Sequence, residues 1–150
     1  MSQPRGIQVG LDLKRVAEIL RKQTKPDICW AAGIETVLAH EHLMLAQDQI
    51  VREVYKKAYD TEHDKRLTCE EIKNFLDRIR KRDANGTEHK LKVTSYPGYM
   101  VTTGILKELR RKKPILVSYD KLDPIKIQRR YGHIVVIVGA IYENFSNVFV

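Results

Sequence analysis

The apolar period of this chain changes once, near Asn85-Gly86, and that single change bounds the fold. Before it the spacing is helical. Leu13, Val16, Ala17 and Leu20 predict a helix from Asp12 to about Lys22, with Asp12 placed to cap it. Pro26 forbids a smooth continuation. A second helix is expected near Cys29, running through Trp30, Ile34, Val37 and Leu38 to about His42. A third covers Gln47 to Tyr59, with Ile50, Val51, Val54 and Tyr55 on one face. Thr68 and Glu71 form a capping box that opens a fourth, striped with Ile72, Phe75, Leu76 and Ile79.

After the Asn85-Gly86 turn signal the period shortens. His89 to Tyr96 alternates, with Leu91 and Val93 on one face, and Pro97-Gly98 ends it. Thr103 to Arg111 reads as a short helix stopped by Pro114. Ile115-Leu116-Val117 is a brief buried strand, Ile134 to Ala140 a longer one, and Glu143 to Ser146 turns the chain into a last strand, Asn147 to Val150. Helices first and strands later predict an α+β fold, a helical N-terminal part packed on a small C-terminal antiparallel sheet. No internal repeat or linker divides the chain, so residues 1–150 are expected to form a single domain.

Composition narrows the setting. At 150 residues and 43% apolar, the chain can bury a real core and is not disordered as a whole. No run approaches the roughly 18 apolar residues of a membrane span, and the first ten residues lack the pattern of a secretory signal. A soluble protein is expected, without a membrane span or export signal of its own. Two cysteines, Cys29 and Cys69, are too few for a disulfide framework and imply free thiols in a reducing compartment. The net charge of +8 suits an acidic partner, nucleic acid or an anionic surface. Its cations cluster at Arg78, Arg80, Lys81 and Arg82, at Arg110 to Lys113, and at Lys126, Arg129 and Arg130. For the first two clusters, favourable placement of cations at helix C-termini is the simpler account.

The chemistry concentrates at Cys29. A proline-bearing loop, Gln23 to Ile28, leads into a helix that begins at or just before the thiol. Unpaired backbone N–H groups and the positive end of the helix dipole favour thiolate there, and a nearby imidazolium would favour it further. Ala31-Ala32 lets the helix pack tightly beneath, and Trp30 either walls the site or fills core. Gln23 can offer a carboxamide N–H to an oxyanion, beside the backbone N–H of Cys29. His133 follows Tyr131-Gly132 and opens a very apolar strand, which is a rigid mount for a base.

Gln-x5-Cys-Trp-Ala-Ala near the start, Lys113-Pro114-Ile115-Leu116-Val117, and Gly-His before an apolar strand ending Val-Gly together resemble the papain-like cysteine peptidases. The similarity spans roughly Gln23 to Gly139 and leans towards the compact bacterial branch of effector proteases and bacteriocin-exporter leader peptidases. The resemblance implies Cys29 as nucleophile, His133 as general base and then acid, and Gln23 as oxyanion donor, with no cofactor and no metal. It also implies a protein substrate, cleavage after Gly-Gly if the leader peptidases are the better guide, and a toxin or effector delivered into a target cell, with an immunity or inhibitor protein as a further partner. The family places an Asn or Asp at the end of the strand after the histidine. Counting about sixteen to eighteen residues on from His133 reaches Phe149, Val150 and the end of the sequence, so the third residue is either missing, supplied from an irregular position such as Asn147, or placed beyond that end.

Other readings are weaker. His40-Glu41-His42 lacks the His-Glu-x-x-His spacing, and i,i+2 residues on a helix face apart, so no metal site is expected. His63 and His89 are expected in solvent, and Cys69 in packing. The same thiol and imidazole would also serve a deamidase or transamidase, because the acyl-enzyme is shared. A basic nucleic-acid-binding module is the non-enzymatic alternative, and no helix-turn-helix, zinc-finger or aromatic-basic signature supports it.

Overall fold

In a computed structural model of the chain, residues 6–26, 28–56, 67–96, 102–122, 130–142 and 148–149 are described. The expected third catalytic position Asn147, the end of the third helix at Tyr59, His63, Pro97-Gly98 and the cations Lys126 and Arg129 lie outside them. Among the described residues the elements run β1 (Ile7–Gly10), α1 (Leu13–Ile19), α2 (Cys29–His40), α3 (Gln47–Tyr55), α4 (Cys69–Asp77), β2 (Arg80–Arg82), β3 (Glu88–Lys90), α5 (Thr102–Arg110), β4 (Ile115–Leu122), β5 (Arg130–Ile137), β6 (Gly139–Tyr142) and β7 (Val148–Phe149). The α+β class expected from the sequence is what the chain adopts, with five helices and small antiparallel sheets among the described residues.

The helices begin where their caps dictate. The Asp12 carboxylate accepts the Arg15 N–H at 2.8 Å. Thr68 Oγ1 accepts from Glu71 N while Glu71 Oε2 accepts from Thr68 N, closing the capping box at 3.2 and 2.7 Å. Removing that hydroxyl leaves a first-turn donor without its partner. Thr68→Ala is therefore expected to lower the unfolding free energy by about 1 kcal/mol, read as a shift in urea midpoint at unchanged slope. At the far end of α2, His42 turns left-handed at φ 61° and Leu43 N reaches back to Leu38 O at 2.8 Å, which stops the helix.

Two parts of the strand arrangement differ from the sequence expectation. Among the described residues the strands form three antiparallel sheets, β1-β6-β7, β2-β3 and β4-β5, and the first takes its edge strand from Ile7–Gly10. Ile7 lies opposite Tyr142 and Gly10 opposite Gly139. Four residues carry too little alternation to announce a strand; pairing with β6 makes β1 one. The apolar run from Ile134 to Ala140 is also divided, because at Val138 the chain leaves the β4 ladder and its carbonyl accepts from Leu11 N at 2.8 Å. Gly10, at φ 114°, permits this crossing: a Cβ there would fall 2.4 Å from Val138 O.

The main core gathers Ile28, Trp30, Ala31, Ile34, Leu38, Ile50, Val51, Phe75, Leu76 and Ile134, joining α2, α3, α4 and β5. Trp30 is core, 1% exposed, with its ring edge-on to Tyr55 at 5.6 Å between centroids. A second cluster packs Leu106 and Leu109 of α5 against Ala140 of β6, with Val9 of β1 at its margin. The hairpin β2-β3 turns at Asn85-Gly86, where the Asp83 carboxylate accepts from Asn85 N and Thr87 N.

Candidate active site

Cys29 is the first residue of α2 and is half-buried against the main core. The residue before it, Ile28, has no side-chain acceptor to offer the first turn; its carbonyl accepts from Ala31 N and Ala32 N. A helix start without a side-chain cap keeps first-turn N–H groups available for a ligand's negative charge.

One turn further on, Gly33 sets how close α2 comes to the β4-β5 ladder. A methyl group there would stand 2.8 Å from Leu116 Cδ2, 3.4 Å from Ile134 Cγ2 and 3.7 Å from Val136 Cγ2. Leu116 and Val136 are partners in the ladder. The helix headed by Cys29 therefore lies directly on the strand that carries His133, touching it at the very next residue. Ile134 is buried in the same cluster that Cys29 packs against, whereas the His133 side chain is exposed, opposite Tyr119 in register. The structure thus brings together the two elements expected to hold nucleophile and base. Sequence reading does not single out Gly33, although a glycine inside a helix, on its Cys29 face, is the signal of a close approach.

Gln23 lies exposed on the loop before α2, and its Nε2 donates to Lys25 O at 2.7 Å. One amide hydrogen is spent on that loop carbonyl; a carboxamide nitrogen carries two. The loop itself is held from both sides. Arg21 N donates to Thr36 Oγ1 at 3.2 Å, Arg21 Nε stands 3.7 Å from Glu35 Oε1, and Lys25 Nζ pairs with Asp48 Oδ1 at 2.7 Å. Gln47, at the start of α3 and 3% exposed, uses its side chain on the same loop.

The remaining sequence features have structural roles. Glu41 receives Lys81 Nζ at 3.5 Å and Lys113 Nζ at 3.8 Å, tying the end of α2 to β2 and to the turn after α5. His40 Nδ1 is buried without a hydrogen-bond partner among the described residues, and burial pushes the His40 pKa below its ordinary value. His42 sits beyond the helix in the left-handed turn, so the two imidazoles stand on different backbone geometries. Of the cations, Arg78 caps the C-terminus of α4, Arg110 lies in the last turn of α5, and Lys112 Nζ donates to Gly10 O at 2.6 Å. His89 is exposed as expected and pairs with Asp83 at 2.7 Å, which, with the Thr87 and Asn85 amides, holds the Asp83 carboxyl below its usual range. Cys69 departs from expectation. As the first residue of α4 it is exposed to solvent instead of packed, off the face that carries Ile72, Phe75 and Leu76; both cysteines are free thiols.

Among the described residues no helix is long and apolar enough to cross a membrane. The chain matches no curated protein and no solved structure. It does match, over residues 9–145, the family described as papain-like cysteine protease AvrRpt2, a family of bacterial effector proteases. That match takes in every described helix, the loop of Gln23, Cys29, and His133 with its strand, so the chain belongs to the papain-like cysteine protease family of AvrRpt2.

Proposed function

We propose that this chain is an endopeptidase in which Cys29 attacks a peptide carbonyl of a protein substrate. His133 takes the thiol proton as the S–C bond forms, and returns it to the departing amine as the tetrahedral intermediate collapses and the C–N bond breaks. A water, deprotonated by the same imidazole, then releases the acyl group and restores the thiol. The Cys29 N–H and the second amide hydrogen of Gln23 hold the oxyanion of each tetrahedral intermediate. No cofactor or metal enters these steps.

The observation that carries the reading is the seating of α2 on β5 at Gly33 and Ile134, one helical turn from Cys29 and one residue from His133. Membership of the protease family supports the same pair. An effector role, acting after delivery into a target cell, follows from the family's character, and the net charge of +8 favours an acidic substrate protein. Likeness to the leader peptidases favours cleavage after Gly-Gly.

The test compares new protein N-termini in a cell lysate treated with wild-type chain or with Cys29→Ala. Fragments that arise only with the wild type, with glycine enriched before the cut, are expected. Identical profiles would overturn the peptidase reading. Glutamine-to-glutamate conversion without new termini would turn it into a deamidase.

A further inference from the structure

Gln47 is a polar residue on the apolar face of α3, in line with Ile50, Val51 and Val54, and it is almost wholly buried. Its carboxamide is fully used. Oε1 accepts from Thr24 N at 3.0 Å and from Thr24 Oγ1 at 3.2 Å. Nε2 donates to Lys22 O at 2.8 Å and to Glu35 Oε2 at 2.7 Å. A primary amide has two donor hydrogens and two acceptor lone pairs, and all four are satisfied here.

The choice of partners is informative. Lys22 O belongs to the peptide group before Gln23, and Thr24 N to the one after it. The Gln47 amide therefore bridges both peptides that flank the Gln23 Cα, as a neighbouring strand would, and so fixes the backbone dihedrals of Gln23 and the direction of its Cα–Cβ bond. Glu35 adds the second anchor. It sits on α2 six residues after Cys29, so the same amide ties the Gln23 loop to the helix that carries the thiol. Burying a polar side chain costs free energy that its bonds only offset, and a leucine would fill this apolar face as well.

We infer that Gln47 is a positioning residue for the reaction: it locks the loop so that the Gln23 carboxamide stands ready beside Cys29 when the oxyanion forms. This rests on the roles proposed above for Cys29 and Gln23. Catalytic donors act at full strength only when they are preorganised, and a displacement of the order of 1 Å can cost about a hundredfold in rate. The exposed Lys25–Asp48 pair supports the same loop but is open to solvent, so it holds position weakly.

The experiment is a double-mutant cycle on Gln47→Leu and Gln23→Ala in a Cys69→Ser background, which removes the exposed second thiol. Turnover is followed with a fluorogenic peptide built on a cleavage sequence recovered from the lysate. Gln23→Ala is expected to lower kcat by about 100-fold, and Gln47→Leu by about 10-fold with KM within about twofold. The double variant should be no slower than Gln23→Ala alone, because Gln47 acts only through Gln23. The rate at which iodoacetamide alkylates Cys29 should be the same in all four proteins. Multiplying losses, an unchanged kcat in Gln47→Leu, or slowed alkylation in step with kcat would each overturn the assignment. If Gln47→Leu shows no cooperative unfolding transition, Thr24→Val takes its place in the cycle. It removes a single hydroxyl contact, and about a threefold loss that vanishes in the Gln23→Ala background is expected. A wild-type chain that yields no cleavage sequence overturns the peptidase reading and this one together. An active wild type with multiplying losses overturns this one alone.

Discussion

His133→Ala is expected to lower kcat by about 10⁴-fold while leaving the folded chain as stable as before. The size follows from the role: the imidazole supplies both the proton acceptor for attack and the donor for the leaving amine. The selectivity follows from placement. The side chain is exposed midway along the β4-β5 ladder, and exposed substitutions typically change stability by no more than about 0.5 kcal/mol. Iodoacetamide should also alkylate Cys29 about tenfold more slowly, because the base that takes the thiol proton is gone. Adding Cys29→Ala to His133→Ala should cost nothing further, since either loss disables the same unit. A variant that kept a tenth of the wild-type kcat would remove His133 from the mechanism.

The second large effect concerns folding. Gly10→Ala is expected to destabilise the chain by about 4 kcal/mol, the sum of an unfavourable positive-φ backbone and a collision that no side chain can relieve. The collision is with main chain, Val138 O at 2.4 Å and Gly139 Cα at 2.5 Å from the added carbon. Gly86 separates the two costs. It also has positive φ, at 79°, but an added Cβ there meets nothing within 4 Å, so Gly86→Ala should show only the backbone part, about 1 kcal/mol. Thermal unfolding of both variants beside the wild type measures the difference. For a chain of this size it amounts to about 10 °C. Equal midpoints for the two would mean that β1 does not cross at Val138 as described.

Much of the helical half is legible in the sequence because its determinants are local. Asp12 and Thr68 cap the helices they precede, and the stripes on α3 and α4 pick out Ile50, Val51, Ile72, Phe75 and Leu76 as buried, with Val54, Tyr55 and Ile79 half-buried beside them. The start of α2 at Cys29 is legible for the same reason. The first helix ends sooner than its stripe suggests, at Ile19, because apolar spacing cannot tell a last turn from an extended approach. Strand limits depend on partners far along the chain, and there the reading is poorer. His89 to Tyr96 looks like one strand, yet only the part opposite Arg80 to Arg82 finds a ladder. Ile115 to Val117 looks brief, yet β4 runs on to Leu122 because β5 offers it a partner throughout.

The candidate site divides in the same way. Cys29 stands out as a residue type at the head of a helix, whereas His133, expected to open its strand, lies in the middle of β5, which starts at Arg130 because β4 pairs with it from there. The approach of α2 to β5 shows itself only as a glycine where a helix would tolerate alanine better. Gln47 could have been found by a simpler signal: it continues the stripe of Ile50, Val51 and Val54 one turn towards the N-terminus, so a polar side chain falls on a buried face. Its partners at Lys22, Thr24 and Glu35 lie too far off in sequence for any pattern to reveal them.

The pairing of β1 with β6 also has a consequence for how the protein is made. Ile7 leaves the ribosome well before its partner Tyr142, which follows more than a hundred residues later. Joining contacts so distant is entropically slow, and β1 must wait, unpaired, until β6 has been made. The helices around Trp30 can associate in the meantime, but the ladder that closes over Val9 and α5 forms last. A newly made chain therefore passes through a period with one edge undone, when a chaperone or a translocation channel could engage it as an extended thread.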